Sequence, residues 1–230
     1  MSELSASHHR RRHYGRRRGP KLRPRQAGLL RDLLPQLTLE PKAGLDPRNY
    51  FPKPPREVWL EVGFGAGEHL VWQAENNPDI GIIGAEPYIS GQAKLLAKIA
   101  DSDLSNIRLY PEDARDVIAA LPDACLARVF ILFPDPWPKT RHHKRRFIQM
   151  EMLDQLARVM KAGAELRFAT DDKGYLVWAL ERFMAHRKFL WTANAPSGWR
   201  ERPADWPQTR YEAKAVKAQD TCIYLSFRRH

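Results

Sequence analysis

Cysteine is scarce. Cys125 and Cys222 are the only two, so no disulfide framework holds the chain. Both lie in or beside apolar runs, where buried thiols in a reducing compartment are expected. No stretch approaches the ~18–20 apolar residues of a membrane span, and the sequence contains no secretory apolar region. A membrane partner is therefore not expected, and a cytoplasmic location is. Internal repeats are also missing. His8, His9 and His13 have no acidic or cysteine companions, so they read as part of a basic segment and no metal site is expected.

Acidic residues are nearly absent from the first 25 positions. Glu3 stands alone there against nine bases: Arg10, Arg11, Arg12, Arg16, Arg17, Arg18, Lys21, Arg23 and Arg25. The whole chain has 230 residues, 38 Lys and Arg, and 27 Asp and Glu, so the other 205 positions carry an excess of only three bases. The reading is a disordered basic arm over residues 1–25, suited to a polyanion. A plain solubilising tail is the alternative. Residues 26–55 follow as a Pro-rich extension ending in Phe51-Pro-Lys-Pro-Pro55.

From residue 56 to 230 the pattern alternates between short apolar runs and helical spacing. Strands are expected at 58–62, 80–85, 107–110, 128–133, 164–169 and 221–227. Helices are expected at 68–76, 88–100, 144–160 and 173–186. This alternation predicts a doubly wound α/β fold with a mostly parallel sheet. Ligands in such folds bind at the carboxyl ends of the strands.

Gly63, Gly65 and Gly67 follow the first strand, where residues without Cβ permit a tight turn and close approach of a ligand. Glu86 ends the second strand 19 residues later. A carboxylate at about that spacing can accept both hydroxyls of a ribose. The glycine spacing is one residue shorter than the pyrophosphate fingerprint G-x-G-x-x-G. Glu61 and Glu68 flank the loop, and carboxylates suit a sulfonium better than a pyrophosphate. These features favour S-adenosylmethionine over a nicotinamide dinucleotide. Asp113, beside Ala114, could accept from an adenine amine or simply cap a helix.

The most apolar strand runs into Phe133-Pro-Asp-Pro-Trp-Pro138. Prolines on both sides make a rigid mount for Asp135, and Trp137 offers a stacking face worth ~1–3 kcal/mol to a nucleobase. The next residues are Lys139, Arg141, His142, His143, Lys144, Arg145 and Arg146. Cations at the start of a helix oppose its dipole, so this run reads as a rim for an external phosphate. Asp171 can face the site or cap the following helix. Thr209, Arg210, Tyr211 and Glu212 lie in a polar stretch that fits ligand contact or an ordered loop.

Several pieces, in this order, resemble the bacterial tRNA (guanine-N7)-methyltransferases. They are Leu60-Glu-Val-Gly-Phe-Gly-Ala-Gly67, Gly84-Ala-Glu86, Glu112-Asp-Ala114, Phe133-Pro-Asp-Pro-Trp-Pro-Lys139, the basic run to Arg146, Thr170-Asp171 and Thr209-Arg-Tyr-Glu212. The resemblance implies a Rossmann-like methyltransferase fold with an antiparallel last strand. It implies S-adenosylmethionine near Glu61, Glu86, Asp113 and Asp135, with a catalytic role for Asp135. It further implies substrate contact by Lys139, Asp171 and residues 209–212, and tRNA as partner through its variable-loop guanine. A monomer or homodimer is expected. The rival readings are an exocyclic-amine methyltransferase and a non-catalytic RNA-binding protein on the same scaffold.

Overall fold

The computed structural model describes residue 15 and residues 17–42, 44–217 and 221–230. Most of the basic arm thus lies outside the described residues. The part from Arg17 onward is built into the fold. The Arg17 guanidinium pairs with Glu112, and Ile89 N donates to the Arg17 carbonyl at 3.0 Å. Helix α1 (Pro24–Asp32) starts inside the segment read as a disordered basic arm, with proline in its first turn. It is followed by α2 (Leu34–Leu37).

The main unit alternates as its sequence pattern predicts. In order come β1 (Glu57–Val62), α3 (Glu68–Asn76), β2 (Ile80–Ala85), α4 (Ile89–Ala100), β3 (Ile107–Tyr110), α5 (Ala114–Ala120) and β4 (Leu126–Leu132). Then follow α6 (Met150–Val159), β5 (Met160–Thr170), α7 (Lys173–Ala185), β6 (Phe189–Trp191), α8 (Ser197–Arg200), α9 (Arg210–Lys217) and β7 (Ile223–Arg229). They form one seven-stranded sheet in the order β3-β2-β1-β4-β5-β7-β6. The first five strands pair in parallel, and β7 runs antiparallel to both β5 and β6.

Side chains alternate between the two faces of each strand. Val58, Leu60 and Val62 of β1 join one apolar cluster with Val117 of α5, Leu153 and Leu156 of α6, and Phe183 of α7. Trp59 points the other way, to a second cluster with Leu70 of α3 and Leu95, Leu96 and Ile99 of α4. The sheet is thus covered on both faces, as a parallel sheet requires. Leu29, Leu30 and Leu33 pack on the second cluster, which accounts for α1.

One expected helix starts late. Residues 140–145 form a 3-10 turn, and α6 begins only at Met150. Phe147 and Ile148 are buried in the connection, where Ile148 N donates to the Tyr175 hydroxyl at 3.1 Å. The basic run therefore does not sit on the first turn of α6, and the helix-dipole argument for an anion there does not apply.

Candidate active site

Strand order reverses direction between β1 and β4, and the crevice at their carboxyl ends is where doubly wound sheets hold ligands. A cavity of about 630 Å³ opens there. Its wall includes Gly63, Gly65, Glu86, Asp113, Ala114 and Asp135, all expected from the sequence, together with Tyr88, Arg115, Phe133, Trp137, Gln149 and Tyr211. That volume lies in the range typical of small-molecule sites.

The glycine loop turns from β1 into α3 with φ of +74° at Gly63, +55° at Gly65 and +75° at Gly67. At Gly65 the left-handed backbone matters twice. Its N–H donates to Glu86 Oε2 at 2.9 Å, and its open face lies under the Tyr211 ring, 3.3 Å from where a Cβ would be. The other Glu86 oxygen accepts from Tyr88 N, also at 2.9 Å. Each carboxylate oxygen has a second lone pair for a ribose hydroxyl. Burial pushes the Glu86 carboxyl up. The two backbone N–H groups pull it down, and the charges of Asp135 and Glu61 push it up again. Burial, followed by Glu86 and Asp135, likewise raises the Tyr211 phenol. Carboxylates thus converge on this end of the sheet, and a cationic ligand relieves their mutual repulsion. The residues present fit a sulfonium donor.

Asp135 is exposed on the cavity wall. Its mount is strained as well as proline-bound: Phe133 has φ +49° and Trp137 has φ +44°. Backbone of this kind costs roughly 1–3 kcal/mol per residue and persists only where the surrounding structure enforces it. Trp137 is not an open platform, because Arg145 lies 5.0 Å from its ring centre and the His142 ring meets it edge-on at 5.8 Å. Asp113 caps α5 by accepting from Arg115 N at 3.0 Å, and it also pairs with the Arg115 guanidinium.

Other expected site residues fall elsewhere. Arg146 is buried. Its Nε donates to the Pro136 carbonyl at 2.8 Å and its guanidinium lies over Tyr175 and Trp178, so it buttresses the Asp135 loop and is not part of the rim. His143 packs edge-on against Trp178. Lys144 and Arg145 line the cavity, whereas Lys139 and Arg141 are exposed beside it. Asp171 is exposed outside the cavity wall, and its neighbour Asp172 caps α7. Thr209 is buried, and its hydroxyl accepts from Glu212 N. Glu212 turns inward, accepting from Tyr224 at 2.7 Å and pairing with Arg202 at 3.0 Å. Both contacts fall on Oε1; Oε2 is buried and has no hydrogen-bond partner among the described residues. Arg210 is exposed, and Tyr211, though also exposed, lies over Gly65 on the cavity wall.

Sequence reasoning missed a buried polar chain beneath the loop. Glu61 Oε2 lies 2.7 Å from His69 Nδ1, and Gln73 Nε2 lies 3.1 Å from His69 Nε2. Gln73 Nε2 also donates to the Asp205 carbonyl at 2.8 Å. The one visible hint was His69 and Gln73 spaced i, i+4 on α3.

A family model described as "Putative methyltransferase" matches residues 55–225. A tRNA (guanine-N(7)-)-methyltransferase of Rhodospirillum rubrum is 54% identical to this chain, covering 95% of the chain and 88% of that protein. The chain belongs to the tRNA (guanine-N(7)-)-methyltransferase family. The member from Paramagnetospirillum magneticum is 50% identical, over 98% of the chain and 96% of its own length. Among solved structures, the 16S rRNA methyltransferase KamB superposes with a TM-score of 0.53 at 17% identity, covering 76% of this chain and 89% of that one. An rRNA methylase of Streptococcus thermophilus gives 0.52 at 10% identity, with 75% and 86% covered. These two likenesses establish the methyltransferase fold. Among the described residues no helix is long and apolar enough to cross a membrane, and no His, Cys, Asp and Glu group could hold a metal ion.

Proposed function

We propose that this protein transfers the methyl group of S-adenosylmethionine to N7 of a guanine in tRNA, the variable-loop guanine at position 46, in the cytoplasm. The observation that carries the reading is the meeting of Glu86, Asp113 and Asp135 on one cavity wall, with Lys144 and Arg145 on the same rim. Family membership supplies the substrate class. When bound, the donor supplies an electrophilic methyl on a positively charged sulfur.

Guanine N7 carries an in-plane lone pair, so no proton has to leave before attack. The protein's task is placement, which can lower a barrier by ~7–11 kcal/mol. Glu86 would accept the ribose hydroxyls while Gly65 and Tyr88 hold it in place. Asp113 would accept from the adenine amine. Tyr211 lies over the glycine loop. Asp135 would stand on the purine side, where positive charge accumulates during transfer. Its carboxylate therefore stabilises the transition state more than the ground state. Lys144 and Arg145, with the exposed Lys139 and Arg141, hold phosphates. Asp171 is the exposed candidate for accepting from the guanine N1–H and N2–H₂ edge, since the unbonded Oε2 of Glu212 is buried.

Asp135→Asn is expected to lower turnover by ~100-fold or more while tRNA affinity holds. Nucleoside mass spectrometry after incubation with the donor reads it. Near-normal 7-methylguanosine formation would remove Asp135 from catalysis. A methyl on an exocyclic amine would move the protein to the rival reaction, which the single proline between Asp135 and Trp137 disfavours.

A further inference from the structure

We propose that His69 is a positioning residue for the methyl donor, holding Glu61 as an aimed anion, and that Gln73 sets its tautomer. The inference rests on the donor assignment above and adds a residue to that site.

The protons in this chain can be assigned from its geometry. Gln73 Nε2 lies 2.8 Å from the Asp205 carbonyl, which can only accept. That contact fixes Nε2 as the amide nitrogen, independently of the histidine. Asn77 Nδ2 donates to the other amide atom at 3.3 Å, consistent with an oxygen there. The second hydrogen on Gln73 Nε2 points to His69 Nε2 at 3.1 Å. His69 Nε2 therefore accepts, and the ring proton sits on Nδ1. From there it is donated to Glu61 Oε2 at 2.7 Å. A neutral imidazole has one donor and one acceptor nitrogen, and both are used.

The consequence is electrostatic. Among the described residues His69 is the one ion-pair partner of Glu61, and in this tautomer it brings no charge. Glu61 and His69 are 3% and 2% exposed. The site thus keeps a net negative charge in a place of low polarity, where an unpaired carboxylate is costly. A small cavity of about 20 Å³, lined by Glu61, Gly63, His69, Thr209 and Tyr211, adjoins it. A cationic group of the donor entering from the main cavity is the partner that offsets this cost. The hydrogen bond from Nδ1 keeps the carboxylate from rotating away before that partner arrives.

The same chain reaches the segment before Thr209. Asp205 carries the carbonyl that holds Gln73, and the ring of the next residue, Trp206, lies 5.5 Å from the His69 ring. Donor affinity should therefore respond to the anchoring of this loop as well as to Glu61 itself.

The test compares wild type with His69→Leu, His69→Asn and Gln73→Leu by calorimetric titration with S-adenosylmethionine, steady-state kinetics on tRNA and thermal melting. His69→Leu is expected to weaken donor binding by about 10- to 100-fold, the worth of a hydrogen bond to a charged group. Turnover at saturating donor and the KM for tRNA should stay within about 3-fold. His69→Asn places an N–H where Nδ1 was and should restore most of the donor affinity. Gln73→Leu leaves His69 in place but frees its tautomer, and should weaken donor binding by ~3- to 10-fold. It keeps the test alive if His69→Leu does not fold. Wild-type donor affinity in either leucine variant overturns the proposal. So does His69→Asn binding as poorly as His69→Leu, because packing alone would then explain the loss. A wild-type protein that binds no donor overturns the functional reading instead.

Discussion

At the scale of single residues, Glu86 joins burial, backbone donors and like charges in one group. Its carboxyl is raised in the folded protein. The stability this gives is complete below the ordinary glutamate value of about 4.3 and is lost as pH rises through the raised folded value. Donor binding runs in the opposite direction, because the ribose hydroxyls need the charged acceptor. Across that acidic window, then, rising pH should lower the melting temperature of the free protein and raise its donor affinity. The comparison is wild type minus Glu86→Gln, by melting and by titration. A difference that is flat with pH would assign both slopes to other carboxyls. Arg146 makes a second prediction at this scale. Its guanidinium ties the Pro136 carbonyl to the Gly174 carbonyl. Arg146→Met should cost ~1–3 kcal/mol of stability by chemical denaturation, since the carbonyls lose a charged donor. It should lower turnover more than tRNA affinity, because the loop that slackens carries Asp135. A loss confined to tRNA binding would return Arg146 to the phosphate rim.

At the scale of elements, α4 is held against the glycine loop with no space between them. A Cβ on Gly91 would overlap the Gly65 carbonyl oxygen, and the Glu86 Cγ is 3.5 Å away. Gly91→Ala must push α4 from the loop that Glu86 also holds. Overpacking of this kind costs ~1–3 kcal/mol, and donor affinity should fall with stability. Unchanged donor binding would mean that the loop shifts freely. Tight packing of this sort is invisible in the sequence, whereas local pattern is not. Strands β1 to β5 and helices α3, α4 and α7 carry their own periodicity, which locates them. The three-residue β6 has no room for a pattern, and its pairing to β7 is a long-range event. Helical spacing at Phe147 predicts an earlier start for α6, but burial against Tyr175 decides the conformation there. The site divides the same way. Residues 63–67 and 133–137 are contiguous and readable. The Glu61, His69, Gln73 and Asp205 chain closes through a Gln73–Asp205 contact between residues 132 positions apart and exists only after folding. Charge at Arg146 and Glu212 suggests solvent and ligand; in the fold both are buried.

At the scale of the whole molecule, the basic excess is concentrated in a segment that divides into two parts with different tasks. Arg17 pairs with Glu112 and Gly15 lines the cavity proposed for the donor, so the second part of the arm adjoins that cavity. Residues 1–14 contribute Arg10, Arg11 and Arg12 and only one acid. Removing residues 1–14 should therefore leave donor affinity unchanged and weaken tRNA binding. The logarithmic dependence of tRNA affinity on salt should flatten by roughly 2–3, one for each phosphate that these arginines neutralise. Removing residues 1–25 should do this and also weaken donor binding, because Arg17 and the first turn of α1 go with it. Binding isotherms at several salt concentrations, with donor titrations alongside, separate the two effects. An unchanged salt slope in the shorter truncation would mean that these three arginines touch no phosphate. The rim at Lys144 and Arg145 would then carry the tRNA without them, as a nearly neutral body holding a polyanion by one charged edge.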